Sequence, residues 1–160
     1  MLTYYLITTI TFFLLGATFL SLFTVWVYRS GAVHRSRHYD GTMNTKSDWQ
    51  GKVLSFLFLA IVIILLVIYD KTINCQQTLN FWQLSLANFT LMFILTLFDS
   101  FIIDLLVLAR WKPAFLKIPD EVTVESMRLH VKKTFQLGWV IILVLSFLSS
   151  GIYLILSLTN

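Results

Sequence analysis

Apolar residues fall in four long runs, at residues 2–28, 53–69, 81–109 and 134–158, and polar residues crowd into the short connections between them. A helix rises about 1.5 Å per residue, so about 20 residues cross the roughly 30 Å hydrocarbon core of a bilayer, within a range of about 17–25. Each run meets that length. The pattern predicts an all-α, polytopic membrane protein: one transmembrane domain over residues 1–160, folded as a four-transmembrane-helix bundle. The first run lacks a basic leader and exceeds the length of a signal-peptide core, so it is expected to remain as a helix.

The third run is the one that interrupts the pattern. It sets two carboxylates, Asp99 and Asp104, inside an apolar stretch, with Asp99 near the midplane. A charged Asp at a helix centre costs about 2.5–3.5 kcal/mol on the insertion scale, whereas each Leu, Ile, Phe or Val returns only about 0.3–0.6 kcal/mol. Such carboxyls are therefore expected to be protonated, hydrogen-bonded or turned toward the protein interior. At about 100° per residue, Ser85, Asn88, Thr96, Asp99 and Ser100 fall within about 120° of one another, with Asp104 one turn below Ser100. That stripe is expected to face other helices, since lipid offers it no hydrogen-bond partner.

The neighbours follow from small residues. Ala17 and Ser21 in the first run, and Ser146 and Ser150 in the fourth, repeat at the four-residue spacing that lets helix backbones approach closely, with Gly16, Gly138 and Gly151 nearby. Helices one and four are thus the expected partners of helix three. Helix two, short and featureless, is expected to face lipid. Ser47 and Gln50 fit a capping box for it, and residues 70–80 read as a turn. After Pro113 and Pro119, residues 120–133 place acids first and bases last, with an apolar stripe of Val124, Met127, Val131 and Phe135. This predicts a short cytoplasmic interfacial helix before helix four, the alternative being a simple extension of helix four.

Composition sharpens the class. Hydrophobic residues make up 58% and charged residues 12% of the chain, whereas soluble domains carry about 25% charged residues. The charge matters by location. Of twelve Lys and Arg, five (Arg29, Arg35, Arg37, Lys46, Lys52) flank the first connection and six (Arg110, Lys112, Lys117, Arg128, Lys132, Lys133) flank the third, leaving Lys71. Bases mark cytoplasmic loops, so N-out/C-out topology is expected, with both basic loops in the cytoplasm and both termini and Cys75 outside. Arg29, Arg35, Arg37, Arg110, Lys112, Lys132 and Lys133 then contact anionic lipid headgroups, and no nucleic-acid partner is expected. A single cysteine leaves Cys75 a free external thiol or an intermolecular link.

Candidate chemistry is sparse. His34 and His38 have an i,i+4 spacing that can present two imidazoles to one metal, and His130 lies on the same side, but Arg35 and Arg37 would repel a cation beside them. The set is a weak metal candidate; no metal or cofactor is expected. No GxSxG, no Cys near a His and no phosphate loop occurs, so no catalytic residue is assigned.

The run FDSFIID, followed by RWKPAFLKIP, LHVKK and Gly138, resembles a group of small, uncharacterised integral membrane proteins of low-GC Gram-positive bacteria, over the second half of the chain. Asp120 and Glu121 stand here where that group has Gly-Thr-Glu after the Ile-Pro pair. The resemblance implies a multi-pass protein of a bacterial plasma membrane and draws attention to Asp99, Asp104, Lys112, Pro113, Pro119 and His130. The expected function is that of an accessory or regulatory subunit of a larger membrane assembly, with a membrane-protein partner or as a homo-oligomer. The alternatives are a small oligomeric proton-linked transporter using Asp99, and a membrane-embedded enzyme or metal- or haem-binding protein using His34, His38 and His130.

Overall fold

The computed structural model describes residues 2–30, 49–75, 78–118, 120 and 122–158. The described residues form α1 (Leu2–Arg29), α2 (Trp49–Asn74), α3 (Phe81–Phe98) and α4 (Val124–Leu158). Helix α3 passes directly into a π-helical stretch, Asp99–Trp111, followed by a 3₁₀ turn, Ala114–Leu116. All four spans are long and apolar enough to cross a membrane, with α3 and its π-helical continuation making one span. The chain is a membrane-helix bundle.

Helix starts are fixed by side chains that satisfy the first free N–H groups. At α3, Asn80 Oδ1 accepts from the Gln83 N–H and Gln83 Oε1 accepts from the Asn80 N–H, both at 3.0 Å, which is a full capping box. At α4, Thr123 and Ser126 exchange the equivalent pair of bonds, at 2.9 and 3.2 Å. The capping box expected from Ser47 lies outside the described residues.

Two helices run further than the apolar pattern predicts. Helix α2 continues to Asn74, past the end of its apolar run at Tyr69. Its last residue is satisfied inside the protein: the Asn74 amide donates to Tyr153 Oη at 2.8 Å, and Asn74 Oδ1 accepts from the Leu79 N–H at 2.6 Å. The last turns of α2 pack into the bundle, with Leu66, Tyr69, Asp70 and Ile73 buried. Residues 124–133 are continuous with the rest of α4, as the extension alternative predicts, with Met127 and Val131 buried.

The core has two parts. At the Asn74 end, Leu66, Tyr69 and Ile73 of α2 meet Leu84, Ala87 and Leu91 of α3 and Leu145 of α4. At the Trp111 end, Ile103, Leu108 and Ala109 pack with Leu116, Val122 and Met127. Helix α4 packs against both α2 and α3, while α1 lies on α3 and α2. A methyl group at Gly16 would stand 2.8 Å from Leu95 Cδ1, so this glycine sets how closely α1 approaches α3.

Candidate functional site

The polar residues of helix three divide into three groups along the bundle. The first is closed. Asn88 is fully buried, and its Nδ2 lies 2.9 Å from Asp70 Oδ2, 3.0 Å from Ser149 Oγ and 3.0 Å from Ser150 Oγ, which ties α3 to both α2 and α4. Ser85, one turn before Asn88, and Ser146, one turn before Ser149 on α4, are buried as well. A second layer extends the network toward α1: Tyr69 Oη and Thr9 Oγ1 are 2.8 Å apart, and Tyr4 Oη donates to the Thr72 carbonyl at 3.0 Å.

The second group opens on a cleft. All four helices contribute to a space of about 240 Å³ in the middle of the bundle, lined almost entirely by apolar side chains. Its polar lining consists of Thr96, Asp99 and Thr134. Thr96 spends its hydroxyl proton on the Met92 carbonyl of its own helix, at 2.9 Å, while Asp99 is half-buried and its carboxyl has no hydrogen-bond partner among the described residues. Asp99 is also where the helix changes pitch, its N–H shared between the carbonyls of Leu95 and Thr96.

The third group lies in the π-helical stretch. Ser100, Asp104, Leu108 and Ala109 are buried, recurring at the four-to-five-residue interval that a widened turn brings to one face. Asp104 Oδ2 stands 3.7 Å from Nε2 of His130 on α4. The sequence gives no reason to pair these two, since 26 positions of chain separate them; the packing of α4 against the π-helix does. The stretch ends where Lys112 takes a left-handed conformation, φ 46°, and its N–H closes on the Val107 carbonyl at 2.8 Å.

The other candidates are scattered. Arg29, Arg110 and Lys132 are exposed and Lys112 and Lys133 half-buried. His34, Arg35, Arg37, His38 and Pro119 lie outside the described residues. Among the described residues no three His, Cys, Asp or Glu side chains gather as a metal would require. Asp70 and Ser149, both fully buried, were missed by the sequence pattern. Asp70 follows the end of an apolar run and precedes Lys71, which reads as a loop; Ser149 is spaced three and four residues from Ser146 and Leu145, the signal that would have placed it on the packed face.

Comparison with protein-family models, with curated proteins and with solved structures finds no match. The site therefore has to be read from its own chemistry. A half-open apolar cleft with one carboxyl can seat an apolar group that has a polar or cationic end, because the walls bury the first and Asp99 accepts from the second.

Proposed function

We propose that the chain is a small multi-pass protein of a bacterial plasma membrane that acts as an accessory or regulatory subunit of a larger membrane assembly. In this reading both termini and Cys75 face outward, the two basic loops face the cytoplasm, and residues 124–133 rest in the cytoplasmic interface. The observation that supports it is the cleft. Pockets for drug-sized ligands run to about 300–1,000 Å³, and this one holds about 240 Å³. It is matched to one large side chain offered by a neighbouring transmembrane helix, with Asp99 as the polar anchor.

Gly138 supplies the test. It lines the cleft, and a methyl group there would meet only Thr134 Cγ2, at 4.0 Å. Gly138→Leu should fill the cleft while leaving the bundle folded. Purification in native-lipid particles is expected to recover partner subunits with the wild-type chain and to lose them with Gly138→Leu. A wild-type chain that emerges alone, or only with copies of itself, overturns the reading.

A second reading has its own observation in support. Asp99 opens on the cleft, and Asp104 and His130 follow it toward the Trp111 end, a line of titratable groups of the kind used in proton relays. In that reading the chain is a small oligomeric proton-linked transporter with Asp99 as the carrier.

A further inference from the structure

Neither reading uses the closed cluster at the Asn74 end. Asp70, Asn88, Ser149 and Ser150 are each 0% exposed and converge from α2, α3 and α4; Ser85 and Ser146, one turn before Asn88 and Ser149, are 4% and 2% exposed. Even with the Ser150 hydroxyl hydrogen-bonded to Asp70, the cluster has more oxygen atoms than protons to share among them. Three oxygens stand within 3.0 Å of Asn88 Nδ2, but a primary amide has only two hydrogens. The Ser149 hydroxyl donates to the Leu145 carbonyl at 2.8 Å, and that of Ser146 to the Ile142 carbonyl at 2.7 Å. Ser149 thus keeps its lone pairs, and not its proton, for the cluster. Asp70 Oδ1, Asn88 Oδ1 and Ser85 Oγ are buried without any hydrogen-bond partner.

The charge is equally unbalanced. Asp70 makes no ion pair among the described residues, and the adjacent Lys71 is exposed. The titratable groups nearby are phenols: Tyr69, bonded to Thr9 and in contact with Tyr5 of α1, and Tyr153 of α4, bonded to Asn74. A carboxylate sealed from water among neutral partners costs several kcal/mol unless something neutralises it. Hard, all-oxygen donors with a single negative charge suit a monovalent alkali cation; a divalent ion would leave a net charge buried in the bundle, and transition metals favour imidazole or thiolate ligands. Asn88 can take part without moving its backbone. Turning its side-chain amide by half a turn exchanges Oδ1 with Nδ2 and sets a fourth oxygen among those of Asp70, Ser149 and Ser150.

We infer that this cluster is a buried binding site for an alkali cation of the sodium class, held by Asp70, Asn88, Ser149 and Ser150. The cation would tie α2, α3 and α4 together at one end of the bundle. It would do so whether or not the central cleft is occupied.

The experiment is thermal unfolding of the purified full-length chain at fixed pH and ionic strength, in NaCl against choline chloride, alongside retention of radioactive ²²Na⁺. The wild-type midpoint is expected to rise with Na⁺ and saturate, as for any ligand that binds only the folded state. Asp70→Asn keeps the shape and the hydrogen-bonding capacity, and should lose the Na⁺ response. Should that variant fail to fold, Ser149→Ala replaces it, with an apparent Na⁺ affinity expected to fall by roughly tenfold or more, as when a site loses a supporting group. A wild-type midpoint equal in NaCl and choline chloride, with no ²²Na⁺ retained, overturns the inference and leaves Asp70 as a protonated hydrogen-bonding partner. A folded Asp70→Asn that keeps the full Na⁺ response overturns it as well.

Discussion

Asp99 and Asn88 sit eleven positions apart on one helix and have opposite environments. Asn88 is enclosed by oxygens from two other helices, whereas Asp99 faces an apolar cleft with its carboxyl unbonded. Asp99→Asn preserves size and hydrogen-bonding capacity and removes only the ability to titrate; Asp99→Leu removes the polar anchor altogether. If the anchor holds a partner's side chain, Asp99→Asn should assemble as wild type, and Asp99→Leu should weaken assembly by about 0.6–2 kcal/mol, the range found for hydrogen bonds within membranes. Co-purification of the assembly from cells expressing each variant gives the comparison. Loss of a pH-driven flux in Asp99→Asn, with assembly intact, would instead favour the transport reading.

At the scale of elements, helix three is set apart by its change from α to π pitch at Asp99 and by its abrupt end at Lys112. Most π-helical segments are single turns, and this one covers 13 residues. The end is dictated locally. The residue before a proline is driven out of the right-handed helical region, and Pro113 has no N–H with which to continue the ladder. Lys112 resolves this with a positive φ of 46°, which costs a residue with a Cβ about 1–2 kcal/mol. Lys112→Gly should therefore leave stability unchanged or raise it by up to about 1 kcal/mol, and Lys112→Val, β-branched, should lower it by about 1–2 kcal/mol or more. Thermal midpoints in one detergent would compare the three chains. Equal midpoints for Val and Gly would mean that the left-handed stop is not a source of strain.

In the whole molecule, α1 is the least buried span: 11% of its apolar 18-residue stretch is buried, against 22% in α2 and 28% in each of the other two. It leans on α3 through Gly16 and closes one side of the cleft. The proposed orientation can be checked on intact cells, because Cys75 is exposed and is the chain's one thiol. An impermeant thiol reagent should label the wild-type chain, and should fail to label a cysteine placed at Thr42 in a Cys75→Ser background; labelling at Thr42 reverses the topology. The sequence by itself determined that this is a helical membrane protein with four spans. Unbroken apolar length is a local property, and a bilayer accepts little else than helices for a chain with this pattern. It also marked Asn88, Thr96, Asp99, Ser100 and Asp104 as one stripe, since helical phase is local too. What each of those residues meets was decided only by tertiary packing. Asp70 reads as the start of a loop until Asn88, Ser149 and Ser150 are brought to it from 18, 79 and 80 positions away. The same packing leaves Asp99 facing a cleft, keeps α2 helical to Asn74 and sets His130 beside Asp104; where a polar group in a membrane does find a partner, another helix supplies it, and hydropathy along the sequence cannot say which helix that will be.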